Sequence, residues 1–204
     1  MTSELKPLRF VGSSLDDLRN FPDEARRAAG FELLLLQRGL LPRDWKPMNS
    51  VVPGVSEIRI HVLGEWRVIY VAKIRNAVYV LHAFQKKARK TAHRNIDLLV
   101  RDSSNWEGRL LKKITVNSSG NVFVDLGFPQ DEAVILQMRS DLMIDLRKFV
   151  KSKGQTNAQA ALILGLSQSR VSDLLNGKWE KFSLEMLITL ATRAGMRVSI
   201  NLAA

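Results

Sequence analysis

The segment Asn157–Asn176, NAQAALILGLSQSRVSDLLN, constrains this chain most tightly, because its residue types fit two short helices crossing at a tight turn. Ala160 and Ala161 supply small side chains where a second helix must approach the first, and Gly165 permits a turn that a Cβ would resist. Val171, Leu174 and Leu175 then recur at helical spacing as a buried stripe, which turns Gln168, Ser169, Ser172 and Asn176 outward. The pattern predicts a helix-turn-helix pair, with FSLEMLITLATRAG as a supporting helix. In such a pair the start of the second helix enters the major groove of DNA, where Gln pairs bidentately with adenine and Arg with guanine. Gln168, Ser169 and Arg170 are therefore the expected base-reading residues, with Ser172 on the same face. Asn176 and Lys178, beside Gly177 at the helix end, are placed for phosphate contacts that hold register without reading sequence. A lone AAxxxG in an ordinary amphipathic pair would mean little; the whole ordered set implies double-stranded DNA as a partner.

Composition narrows the remaining classes. The chain has 204 residues, enough for two small domains or one large one, and no cysteine, which excludes disulfides and thiolate zinc sites. Its three histidines, His61, His82 and His93, are too scattered for a local metal motif, so neither metal nor cofactor is expected. MTSELKPLRF carries an acid and no apolar core, and the apolar run Leu33–Leu36 is far too short to cross a bilayer. A cytoplasmic protein without a membrane partner is the expectation. The formal charge is +11, and it is divided unequally: residues 1–101 hold 18 Lys and Arg against 10 Asp and Glu, residues 102–204 hold 13 against 10. The half without the helix-turn-helix is the more basic, which favours a phosphate polyanion of its own over a role in solubility alone.

Periodicity gives the organisation. Leu8–Val11 reads as a strand, followed by a helix opened by Ser13 or Ser14, each with an Asp three residues on. Pro22 starts a second helix carrying Ala25, Ala28, Ala29, Leu33 and Leu36, which ends near Gly39; LPRDWKPMNSVVPG reads as a proline-broken connection. VSEIRIHV, WRVIYVAKI and AVYVLHAF are β-branched and aromatic, and the short separators LGE and RN predict antiparallel hairpins. From Thr91 to Asn121 the pattern weakens to a linker with at most one strand or turn. Pro129 and Asp131 then open a long helix ended by Gly154, with Ile135, Met138, Leu142, Leu146 and Phe149 at helical period, and MRVSINLAA could add a strand. The expected fold class is α+β: helices packed on a small antiparallel sheet in residues 1–101, a linker over 102–120, and an all-α helix-turn-helix domain over 121–204.

Two resemblances attach to these residues. SSGNVFVDLGFPQDEAVILQMRSDLMIDLRKFVKSKGQTNAQAALILGLSQSRVSDLLNGKWEKFSLEMLITLATRAGMRVSI resembles the HigA type of antitoxin, of the Cro/repressor-like (XRE) family. EIRIHVLGEWRVIYVAKIRNAVYVLHAFQKKARKT is similar to the HigB, or Gp49-like, branch of the RelE toxin superfamily, over roughly residues 5–98. The resemblance implies a type II toxin and its antitoxin joined in one chain, toxin first. No methionine lies between Met48 and Met138 to start a separate antitoxin.

What the toxin resemblance implies is a ribosome-dependent messenger-RNA endonuclease with a RelE-like fold. Arg59 in EIRI, Arg67 in WRVIY and Lys86 in FQKK fall where related toxins carry catalytic cations, and Lys87, Arg89, Lys90 and Arg94 would grip RNA phosphates. Cleaving RNA through its own 2′-hydroxyl needs deprotonation, cationic stabilisation of the pentavalent phosphate and a proton for the leaving oxygen, with no obligatory metal. Arginines serve there as permanent charges, and a lysine can also donate. Read without the resemblance, Arg59 and Arg67 are strand residues ion-paired with Glu57 or Glu65, and His82, Trp45, Trp66 and Phe84 are packing residues before they are catalytic or base-stacking ones. The antitoxin resemblance implies a homodimer on its own operator. The second reading is a plain repressor whose RelE-like domain is inert and serves to dimerise or anchor; the terminal tyrosine of some RelE toxins has no counterpart near Thr91 and Ala92.

Overall fold

The computed structural model describes residues 5–48, 54–72, 76–86 and 115–199. The chain divides into two compact units, Met1–Ala133 and Val134–Ala204.

The first unit begins with β1 (Leu8–Val11) and α1 (Ser14–Arg19). Ser13 forms no side-chain cap, contrary to the capping pattern. Its hydroxyl bonds Asp17 instead, while the buried Ser14 hydroxyl accepts from the Val11 amide and donates to the Val80 carbonyl, each at 3.0 Å, pinning the helix start between two strands. Helix α2 (Asp23–Gln37) follows Pro22 and is buried almost all round from Ala28 onward. Even Glu32 is enclosed; its carboxylate accepts from the Arg43 amide at 2.9 Å and from the Arg43 guanidinium, so the charge is paired as a buried ion requires.

The three expected strands are β3 (Val55–Ile60), β4 (Trp66–Val71) and β5 (Val78–Gln85), paired antiparallel in sequence. Two further strands extend them. Strand β2 (Trp45–Pro47) pairs with β3, inside the segment read as a connection, and Pro47, lacking an N–H, suits that sheet edge. Strand β6 (Thr115–Asn117) pairs antiparallel with β1, inside the segment read as a linker, and β1 runs parallel to β5. The order is β2-β3-β4-β5-β1-β6, a mixed sheet where a smaller antiparallel one was expected.

Both faces of the sheet are covered. Trp66, whose ring lies 4.5 Å from Phe21, and Tyr70, beside Glu32, mark the face against α1 and α2. Ile69 and Val71 alternate to the other face, where they join Val11, Met48, Val55, Ala77, Tyr79 and Leu81 in a second buried cluster. Every residue of β4 is consequently buried.

After β6, Asn121 caps α3 (Val122–Asp125), its side-chain oxygen accepting from the Phe123 amide at 2.9 Å. Phe123, Leu126 and Phe128 are buried in this first unit. The compact division falls at Ala133/Val134.

Helix α4 (Gln130–Ser152) supplies the second unit from Val134 on. Beyond Val134 its buried positions are Leu136, Ser140, Met143, Ile144, Leu146 and Val150, while Ile135 is exposed; of the expected stripe only Leu146 is fully buried. Ser140 concealed the true face, because its hydroxyl, bonded to the Leu136 carbonyl at 2.8 Å, sits inside without an orphaned polar group. Helices α5 (Asn157–Leu164), α6 (Gln168–Leu175) and α7 (Leu184–Arg193) follow, with a 3-10 turn at Trp179–Lys181. Met196–Ser199 forms no strand.

Candidate nucleic-acid interfaces

Strand register builds the first surface. Arg59 on β3 lies opposite Arg67 on β4, and Arg67 lies opposite Phe84 on β5, so the three occupy one row across the sheet. Glu57, Ile69 and His82 form the neighbouring row. Lys86 follows β5, its amide bonded to the Glu65 carbonyl at 2.7 Å, which brings the third expected catalytic residue to the same corner. Lys87, Arg89, Lys90 and Arg94, like His93, lie outside the described residues.

The corner is as acidic as it is basic. Arg59 Nε donates to Glu57 at 2.8 Å and its Nη1 lies 3.9 Å from Asp44; the Glu57 hydrogen bond, ahead of the cost of burial, holds its pKa above the usual value. Arg67 is almost wholly enclosed, its side chain 5 % exposed. It donates to the Trp66 carbonyl at 2.8 Å and to Glu65 at 3.0 Å, while its Nε lies 3.7 Å from Glu57 and makes no hydrogen bond. His61 bridges Glu65 (2.7 Å) and Asp44 (2.8 Å) through its two ring nitrogens. Those bonds favour the imidazolium and raise its pKa, and the His61 bond, followed by that from Arg67, lowers the pKa of Glu65. Asp44, Glu57 and Glu65 therefore stand against Arg59, Arg67 and Lys86, with His61 bonded between two of the acids.

Sequence reasoning had named Glu57 and Glu65 as ordinary partners and missed His61 and Asp44. The His61–Glu65 spacing was visible, but only the hairpin, turned by Leu63 at φ 50° and Gly64 at φ 130°, sets the two side chains together. His82 stacks on Phe84 at 5.3 Å and bonds Asp17 at 2.8 Å, a packed histidine. Trp66 is core, its indole donating to the Val62 carbonyl.

The second surface is α5–α6. Thr156 and Gln159 form a reciprocal capping box at the start of α5, and Gly165 ends it in the left-handed region at φ 63°. A Cβ at Gly165 would meet Arg193 Nη1 at 2.6 Å, the end of a flexible side chain that donates to the Leu164 carbonyl at 3.0 Å, so it is the left-handed turn that favours glycine here. Ser167 caps α6; Val171 and Leu174 are fully buried and Leu175 half-buried. Gln168, Ser169 and Asn176 are exposed, and Ser172, half-buried, accepts from the Asn176 amide at 3.3 Å.

Two expected DNA contacts are engaged by their own unit. Arg170 donates to the Lys181 carbonyl at 2.8 Å and stacks over Phe182 at 4.6 Å, which turns it toward the 3-10 turn. Lys178 and Lys181 both bind Asp173, at 2.9 and 2.7 Å, and the Lys181 bond, then that of Lys178, lowers the Asp173 carboxyl to about 2.

The geometry thus defines a mixed α/β domain with a charged sheet corner, followed by a helical DNA-binding domain of helix-turn-helix type. Residues 16–102 match the family described as phage derived protein Gp49-like, and residues 122–203 match a helix-turn-helix domain family. A Gp49-like domain followed by a helix-turn-helix domain matches the architecture of a toxin fused to its antitoxin. No curated protein matches it. Among the described residues no helix is long and apolar enough to cross a bilayer, and no group of three or more His, Asp or Glu side chains could hold a metal.

Proposed function

We propose that this chain is a self-neutralising toxin–antitoxin protein of the cytoplasm. Its N-terminal domain is a ribosome-dependent messenger-RNA endoribonuclease of the HigB kind, and its HigA-like domain dimerises on the operator of its own gene and keeps the nuclease silent. The observation that carries the reading is the Arg59–Arg67–Phe84 row, with Lys86 at its end, in a Gp49-like domain covalently joined to a helix-turn-helix.

In the reaction the RNA 2′-oxygen attacks the neighbouring phosphorus as its proton passes to solvent water, and the bond to the 5′-oxygen breaks as that oxygen gains a proton. Arg59 and Arg67 supply fixed positive charge to the pentavalent phosphate, Lys86 donates to the leaving oxygen, and Lys87, Arg89, Lys90 and Arg94 hold flanking phosphates. Phe84 offers a face to a base. On the operator, Gln168 and Ser169 read base edges from an exposed helix start, with Ser172, Asn176 and Lys178 completing the contact and Arg170 supporting the helix from behind. Covalent linkage gives the antitoxin a high effective concentration, so silence is the resting state.

Expression of Met1–Arg101 alone tests this: it arrests translation and cleaves message on ribosomes, whereas the full chain does neither. A folded, harmless fragment refutes it. The acidic partners of Arg59 and Arg67 favour a second reading, a repressor whose Gp49-like domain has lost its chemistry and only dimerises or anchors. Under that reading Arg67→Ala and Lys86→Ala change nothing beyond stability.

A further inference from the structure

Residues 122–133 belong to the helix-turn-helix domain by family match and to the first compact unit by packing. Strand β6 lengthens the sheet edge with Arg9 opposite Asn117, Phe10 opposite Val116 and Val11 opposite Thr115, and the Ser118 amide donates to the Leu8 carbonyl at 2.9 Å. Asp125 ties that strand to α3, accepting from the Ser118 hydroxyl and, at 2.9 Å, from the Ser119 amide. Helix α3 then fills a niche made by a missing side chain. A Cβ on Gly30, in the middle of α2, would lie 2.5 Å from Phe123 Cε1 and 3.3 Å from Leu126 Cδ1. Glycine weakens a helix interior, so its presence there is explained by what it admits.

The same segment takes up three arginines of α1 and α2. Arg19 donates to the Asp125 carbonyl at 2.9 Å, Arg26 and Arg27 stack over Phe128 at 4.5 and 5.3 Å, and Arg27 binds Glu132 at 2.7 Å. In the sheet order β6 stands at the far edge from β2 and β3, so this contact lies away from the Arg59–Arg67 row.

We propose that residues 115–133 are a clasp by which the fused antitoxin silences the toxin, and that the clasp occupies a polyanion-binding surface, Arg19, Arg26 and Arg27 around the Gly30 niche, without covering the Arg59–Arg67 row. Opening the clasp frees Arg27 from Glu132 and uncovers Arg19 and Arg26, which keep Asp16 and Asp23 as partners at 3.5 and 2.7 Å, so that the arginines can meet RNA phosphates, the chemistry a ribosome-bound substrate presents. The proposal rests on the nuclease reading.

Two full-length variants test it by amide hydrogen exchange, translation rate in cells and operator binding as a control for folding. Glu132→Arg sets like charges against Arg27 and speeds exchange across Val122–Phe128 by about tenfold. Gly30→Ala strengthens α2 as a helix yet speeds clasp exchange by roughly a hundredfold, because overpacking expels Phe123. Both lower translation and leave operator binding intact, and pairing Glu132→Arg with Arg27→Glu restores the closed clasp and normal translation. Unchanged or slower clasp exchange in Gly30→Ala overturns the seating. An open clasp with undiminished translation, while Met1–Arg101 alone arrests growth, overturns the proposal and leaves the nuclease reading standing. Arrest that persists when Arg67→Ala is added to Glu132→Arg overturns the nuclease reading and supports the clasp.

Discussion

The sheet corner and the start of α6 both gather polar and charged side chains at one place, and they differ in how their cations are held. At the corner, Arg59 and Arg67 are oriented by Glu57, Glu65 and Asp44, and Arg67 is almost wholly buried. On α6 the base-reading candidates Gln168 and Ser169 are neutral and exposed, and the cations beside them are tied to Asp173 or to backbone carbonyls. A neutral reading edge needs no partner to stay ordered in the free protein. Two guanidiniums side by side do, because each repels the other until carboxylates intervene.

The largest test of this contrast is Arg67→Ala in the isolated Gp49-like domain. Loss of a buried transition-state cation lowers cleavage on ribosomes by about 10²–10³-fold. It also removes the ion pairs of Arg67 with Glu57 and Glu65 and lowers stability in urea unfolding. A stability loss with no change in cleavage would reduce Arg67 to a structural ion pair. On the other surface, Gln168→Ala lowers discrimination at one operator base by about 1–3 kcal/mol while unfolding stays unchanged. Unaltered base preference across a library of operator sequences would remove Gln168 from the reading edge.

Glu57→Gln sharpens the comparison directly. Freed of that carboxylate, Arg59 and Arg67 bind single-stranded RNA more tightly, with a logarithmic salt slope steeper by about 0.7 for each cation released. An unchanged slope would mean that the acid never restrained them. Lys178→Ala weakens all DNA sequences alike, and only by about 0.5 kcal/mol, because Asp173 already shares that charge. The smallest effect is alkaline. Burial, partly offset by a bond with Ser56, pushes the Tyr70 phenol from 10 up to about 12. The folded state therefore keeps a proton that the unfolded state loses above pH 10, and stability contributed by the neutral phenol is full below pH 10 and declines up to about pH 12. Tyr70→Phe should flatten that decline in thermal unfolding measured from pH 9 to 12.

Much of this was legible in the chain. The β3–β5 runs, Pro22 before α2, and the Gly165 turn were readable because period, proline and left-handed glycine act within a few residues. Strand β2 was not, since its three residues end on a proline in a stretch that reads as a connection, and the pairing of β6 was not, since its partner β1 lies at the other end of the first unit. The stripe of α4 was misread for a similar reason: whether Ser140 or Ile135 turns inward depends on what the helix meets. At the corner, Arg59, Arg67 and Lys86 came from resemblance, and their shared location came from register.

The sequence by itself determined two domains of different character, the helix-turn-helix, and the basic excess of the first half, because local periodicity and summed charge need no partner. Only the tertiary structure decided that Asp44 and His61 join the arginine corner, that Arg170 turns away from the reading edge, and that residues 115–133 complete the first unit. The physical reason is the same in each case. Hydrogen bonds and close packing act over a few ångströms, and the groups they join here are brought that close only when strands pair and helices dock.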